Sequence, residues 1–190
     1  ASLGLIIASE QIVNALFGYG SFSKENVIMT AAALKFFGYG VPAFALIKVL
    51  SNFFFARNNT KIPFYLSVFV VALNVSLSLI FFKDVGFIII PIATSLSTWA
   101  GVLVYLFLLS RNRFLLLQTM FFKNIVKIFL STIFMSLIFS FGLDFFAENL
   151  NYSNKYKSFY LLFIVSFVAT IYLISCYLLG ILKTKNYKTN

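Results

Sequence analysis

The chain has no histidine and a single cysteine, Cys176. The first absence removes the commonest general base and metal ligand. The second excludes an intramolecular disulfide. Acidic residues are also scarce: there are five, and four of them fall in connections between apolar runs. No Cys pair, no Gly-rich phosphate loop and no nucleophile–base pattern is present. The motif search therefore points away from an enzyme and implies no cofactor and no metal. Charged residues of both signs make up only 11% of the chain, against about 25% in an ordinary soluble domain. No internal repeat or low-complexity tract stands out. The chain begins on Ala1 and its first residues lack the basic start of a signal peptide, so the sequence is expected to be cut from a longer protein.

What fills the chain instead is apolar. Of its 190 residues 61% are hydrophobic, and 26 are Phe. A soluble domain of this length leaves too much surface exposed to hide so many apolar side chains, whereas lipid removes the conflict. Cys176 lies inside one apolar run and is expected to act as a small buried or lipid-facing hydrophobe. The formal net charge is +10, but the basic residues sit in short segments between apolar runs rather than on one solvated face. That pattern excludes nucleic acid as a partner.

A membrane-spanning helix needs about 20 mostly apolar residues. Residues 62–82, 86–110 and 158–182 are charge-free runs of that kind, and 124–143 carries only Lys127, placed near its start where it can snorkel. Residues 1–17 are apolar apart from Glu10 and polar neighbours such as Gln11 and Asn14. Phe17 to Ser23 reads as a turn. Residues 25–56 form one long helical pattern containing Lys35, Pro42 and Lys48, with a kink expected at Pro42. The expected fold is all-α, a polytopic membrane bundle of about six transmembrane helices.

Loop charges set the expected orientation. Arg57, Lys61, Arg111, Arg113, Lys123, Lys127, Lys183, Lys185 and Lys188 fall on one side with no acid; Lys24, Lys83, Lys155 and Lys157 fall on the other, beside Glu25, Asp84, Asp144 and Glu148. Nine basic residues against four place the C-terminus in the cytoplasm. Residues 114–122, an apolar stretch between basic clusters, are too short to span and are expected to lie along the membrane surface.

Polar residues inside spans are the candidates for function, because lipid penalises them. Glu10 should fall near mid-depth, where it could face a cavity or pair with a missing helix. Lys35 and Lys48 lie 13 residues apart, about 220° around the helix, so they do not share one face; either could line a cavity or snorkel. Asn74, Ser76, Ser78, Thr94, Ser95, Ser97 and Thr98 are expected to make interhelical hydrogen bonds. Trp99 is mid-span, suited to a helix–helix contact or cavity wall.

Several stretches carry a family resemblance. They are Tyr19-Gly20-Ser21-Phe22-Ser23, Ala33-Leu34, Gly40-Val41-Pro42-Ala43-Phe44, Lys48-Val49-Leu50, Phe54-Phe55-Ala56, Asn59-Thr60-Lys61-Ile62-Pro63, Asn74, and Ala93 to Trp99. In order and at this spacing they resemble the C-terminal part of the MurJ/MviN lipid II flippase family, within the MOP exporter superfamily. Asn59 stands where the family favours Asp, Phe55 where it favours Tyr, and Ile89 and Pro91 where it favours small residues. The likeness is clear over residues 10–110.

The resemblance implies a fourteen-helix bacterial inner-membrane transporter, of which this chain holds helices nine to fourteen. Residues 1–116 would be part of the second lobe, 117–182 two extra helices forming a groove for a lipid tail, and 183–190 a cytoplasmic tail. It also implies an undecaprenyl-pyrophosphate-linked substrate moved outward by alternating access, with membrane lipids and the missing N-terminal half as partners. Glu10, Lys35 and Lys48 are then the substrate-cavity candidates. The same-superfamily alternative is a polysaccharide-precursor or drug exporter, and the alternative from another class is a non-transporting scaffold for cell-wall assembly.

Overall fold

The computed structural model describes residues 1–112 and 119–181. Its elements are α1 (Ser2–Ile7), α2 (Ser9–Phe17), α3 (Lys24–Phe55), α4 (Lys61–Val85), a 3-10 turn (Gly86–Ile88), α5 (Ile89–Arg111), α6 (Thr119–Phe145) and α7 (Lys157–Leu178). Among the described residues four stretches are long and apolar enough to cross a membrane, and the second of them, Lys61–Arg111, folds back on itself into α4 and α5. The fold-back occurs at Gly86, whose φ of 71° is open to glycine and strained for other residues.

The first span departs from expectation. Residues 1–17 form two short helices, interrupted where Ala8 takes φ −104° and ψ 20°. Neither Pro nor Gly sits at the interruption, so nothing in the sequence marks it. Counting α1 and α2 as one broken crossing, the described residues hold six. Residues 114–118 of the expected surface segment lie outside the described residues, whereas Thr119–Phe122 already belong to α6.

Local chemistry explains the start of α3. Gly20 adopts φ 61° in the preceding turn, and the Ser23 side chain caps the helix by accepting from the Asn26 amide at 3.2 Å. The helix then stays continuous through Pro42. Pro42 cannot donate to the Gly38 carbonyl, which instead accepts from Ser2 Oγ of α1 at 2.6 Å. The neighbouring carbonyls are covered as well: Ser95 Oγ donates to Phe36 O at 2.7 Å and Trp99 Nε1 donates to Tyr39 O at 3.0 Å. Donors from adjacent helices are what make proline tolerable inside a membrane helix. Trp99 thus makes the helix–helix contact its mid-span position suggested.

Close packing supports this arrangement. A Cβ on Gly40 would come within 2.7 Å of Ser95 Oγ, and one on Gly38 within 2.9 Å of an Ile6 side-chain carbon. Small residues let the backbones approach, as lipid-embedded helices require. Asn74 on α4 donates to Thr94 Oγ1 on α5 at 2.9 Å, one of the expected interhelical bonds. Ser97 and Thr98 instead bond the Thr94 carbonyl of their own helix.

The elements form a row. α4 packs on α5, α5 on α3, α3 on α1 and α2, and this broken pair meets the α6–α7 hairpin. One apolar cluster, including Ala8, Phe139, Leu143, Leu161, Ile164 and Val168, joins α1 and α2 to the hairpin. A second, of Phe54, Leu66, Tyr105 and Leu109, lies where α3, α4 and α5 approach their basic ends. Outward faces are apolar too: Leu79 is 74% and Phe141 72% exposed. Patches of this kind suit contact with lipid or protein, not water. Cys176 is buried, and Lys127 donates to the Leu179 carbonyl at 2.9 Å, closing the end of α7.

Candidate functional site

The broken first crossing and the hairpin do not close on each other along their whole length. Between α1, α6 and α7 lies a cavity of about 500 Å³, lined by residues such as Gly4, Leu5, Met135, Phe139, Val168 and Leu173. Its lining contains no charged side chain. Its polar side chains are Thr132 and Tyr172, and the Tyr172 hydroxyl lies beside Thr132 and Cys176. Thr132 Oγ1 donates to the Ile128 carbonyl of its own helix at 2.6 Å. A groove of this make-up can hold a hydrocarbon chain. It offers no cation for a phosphate.

Beyond one end of the groove, the start of α7 brings a lysine inside the protein. Lys157 is 1% exposed. Its ammonium donates to Gly18 O at 2.6 Å, Tyr152 O at 2.8 Å and Asn14 Oδ1 at 3.0 Å. Those three oxygens match the three donors of a lysine. The faces of Tyr19 and Tyr152 cover the cation at 4.2 and 4.6 Å from their centroids. Asn14 in turn donates to Leu150 O at 2.9 Å. Ser158 Oγ donates to Ala15 O at 2.6 Å and shares a hydrogen bond with Tyr19 Oη. Tyr152 donates to the Phe22 carbonyl. A buried cation is costly unless its donors are satisfied, and here neutral oxygens and ring faces replace water.

Sequence reasoning missed this cage. Lys157 stands next to Lys155 and reads as a solvated loop residue. Two of the three oxygens come from residues 139 and 143 positions away in the chain. The only local signal was the pair of tyrosines that flank the two connections.

The three cavity candidates named from sequence are not brought together. Glu10 is exposed in the first turn of α2 and borders a second cavity of about 240 Å³ with Gln11, Lys24, Asp144 and Asn151. Within that wall, Gln11 Oε1 is buried and unbonded. Lys35 and Lys48 are exposed on α3 and line none of the four cavities described. No group of three or more His, Cys, Asp or Glu suited to a metal occurs among the described residues.

Comparison with known proteins agrees with this architecture. The family described as "Lipid II flippase MurJ" matches residues 1–161. A probable lipid II flippase from Buchnera aphidicola subsp. Baizongia pistaciae is 27% identical over 177 residues, covering 93% of this chain and 34% of that protein. The corresponding protein of Thermotoga maritima is 36% identical over 132 residues, 70% of this chain and 26% of its own length. A solved structure, "Lipid II flippase MurJ, inward closed conformation", superposes with a TM-score of 0.72 over 94% of this chain and 35% of its own, at 23% identity, which supports the fold. The chain spans about a quarter to a third of the length of these relatives. With a family match that covers most of its length, this multi-pass membrane chain belongs to the lipid II flippase MurJ family.

Proposed function

We propose that the chain supplies six helices of a transporter that moves a lipid-linked cell-wall precursor of the undecaprenyl-pyrophosphate type across the bacterial inner membrane. Residues 1–116 act as part of a lobe, and the hairpin within 117–182 provides the wall of a groove for the lipid tail. The observation that carries this reading is the uncharged groove between α1, α6 and α7 in a chain of this family. A polyisoprenyl tail needs only apolar walls, which the groove has. The pyrophosphate and sugar need cations and hydrogen-bond donors, which the groove lacks and the rest of the transporter supplies. No covalent step is involved: the tail stays in lipid while lobes rock about the headgroup.

The basic end of the bundle, with Arg57, Lys61 and Arg111, faces the cytoplasm, as does the C-terminus. The Lys157 end then faces outward. Lys35 and Lys48, exposed on α3, are directed to the rest of the transporter or to lipid.

The test is a chimera in which this chain replaces the matching part of the Thermotoga maritima relative, in bacteria depleted of their own flippase. Restored delivery of lipid II to the outer leaflet supports the reading. A chimera that is inserted and stable but leaves lipid II on the inner leaflet overturns it. Survival without restored delivery would instead favour a scaffold.

A further inference from the structure

The hairpin is joined to the rest of the bundle unequally along its length. Among the described residues six hydrogen bonds link it to α2 and the following turn, and these lie between residues 14–22 and residues 150–158. Towards the other end the facing surfaces are apolar and stand apart around the groove. Ala8 and Phe139 meet there in a cluster with Ile7 and Met135, and a Cβ on Gly4 would lie 3.9 Å from Phe139, an ordinary contact. Apolar contacts inside a bilayer exchange for lipid tails at little cost, because lipid is as apolar as the side chains. The Lys157 cage cannot be exchanged that way: opening it strands a cation.

We propose that the Lys157 cage is a pivot, and that the α6–α7 hairpin swings about it to widen and narrow the groove at its far end. The proposal rests on the reading of that groove as the seat of a lipid tail. The parts needed for such a motion are present. Lys127 ties α6 to the end of α7 through the Leu179 carbonyl, so the two helices move together. Ser2 ties α1 to α3 through Gly38, so the opposite wall stays with the lobe. The interruption at Ala8 lets α2 remain with the cage while α1 does not follow. From Lys157 to Leu173, at the far end of the groove, the helix rises about 24 Å, so a tilt of about 10° displaces that end by roughly 4 Å. That is enough to admit or release a hydrocarbon chain. Ser131, on the same side of α6 as Met135 and Phe139, is 2% exposed with its hydroxyl unbonded. An unpaired buried hydroxyl in this arrangement is accounted for if a second arrangement gives it a partner.

The experiment measures electron–electron spin distances in the full chain in lipid nanodiscs, on a Cys176→Ala background. One spin-label pair, Leu16→Cys with Phe159→Cys, reports the cage end. A second, Ala1→Cys with Leu178→Cys, reports the far end. The expected result is a narrow distribution at the cage end and one at least twice as broad at the far end. Lys157→Met should broaden the cage-end pair, while a pair on α4 and α5, Val71→Cys with Leu103→Cys, stays unchanged as a measure of folding. Equal widths at the two ends in the unmodified chain overturn the pivot, and this comparison stands even if Lys157→Met fails to fold. A folded Lys157→Met chain with an unaltered cage-end distance also overturns it. Adding a long-chain polyisoprenyl phosphate should shift only the far-end pair. If the widths differ as expected but this lipid shifts nothing, the pivot stands and the lipid-tail reading of the groove fails.

Discussion

Pro42 has no amide hydrogen for the Gly38 carbonyl one turn back, and the Ser2 hydroxyl supplies one from the neighbouring helix at 2.6 Å. The relationship explains why a helix of 32 residues continues through a proline. It also explains why the first short helix docks where it does. With Ser95 and Trp99 serving Phe36 and Tyr39, three side chains from two helices satisfy one weakened turn.

Ser2→Ala should therefore leave the Gly38 carbonyl without a donor, at a cost of about 1 kcal/mol, typical of an interhelical hydrogen bond in a membrane. Ser2→Thr keeps the hydroxyl and should restore most of the loss. Unfolding of the purified chain in detergent mixtures measures both. Equal stability of the alanine variant and the parent would show that Ser2 is idle.

Gly40→Ala should destabilise more, by about 1–3 kcal/mol, because α3 and α5 must separate to admit the methyl group. Removing the Ser95 hydroxyl recovers only part of this, since Ser95 Cα and Cβ would also lie within 3.2 and 3.3 Å of the new atom. The same unfolding assay on the single and double variants gives the comparison.

Asn14 serves the cage twice, accepting from Lys157 and donating to Leu150. Asn14→Leu should cost about 2–4 kcal/mol, since it leaves a charged donor and a carbonyl without partners. Asn14→Asp keeps the acceptor and adds charge complementarity, so it should be markedly milder. Protease cleavage in the loop between Phe146 and Tyr156 should rise in the leucine variant first. Unchanged cleavage in both would argue that the cage does not hold the loop.

Ala169 is exposed on α7 and lines the groove. Ala169→Phe should fill the groove, leave thermal stability within about 0.5 kcal/mol, as surface changes usually do, and reduce photo-crosslinking to a polyisoprenyl lipid about tenfold. Persistent crosslinking would place the lipid elsewhere.

Cysteines introduced at Asn112 and Tyr156, on a Cys176→Ala background, test the orientation. A membrane-impermeant maleimide applied to intact inner-membrane spheroplasts should label Tyr156→Cys and spare Asn112→Cys. The reverse pattern would invert the proposed topology.

The long helices were legible because lipid imposes a simple rule on sequence: charge-free runs of sufficient length must be helical. That rule located α4, α5, α6 and α7 to within a few residues. The small polar residues at Asn74, Thr94 and Ser95 were legible for a related reason, since hydroxyls and amides in apolar runs need partners on neighbouring helices. The interruption at Ala8 was not legible, because an alanine carries no conformational mark. Lys157 was hidden by the same rule that served elsewhere. A lysine next to a loop is normally solvated, and its three oxygens are assembled only when α2 and the α6–α7 loop meet in space. Glu10, Lys35 and Lys48 were singled out by depth, and depth along a chain does not say toward which neighbour a side chain turns.

The turn at Gly86 bears on how the protein is made. Between the apolar bodies of α4 and α5 the only charged residues are Lys83 and Asp84, which are adjacent and of opposite sign. Carrying that turn through the bilayer during synthesis moves almost no net charge. On the proposed topology the 51-residue stretch therefore meets little charge barrier to entering the membrane as a helical pair, the pair that Asn74 and Thr94 join in the folded chain.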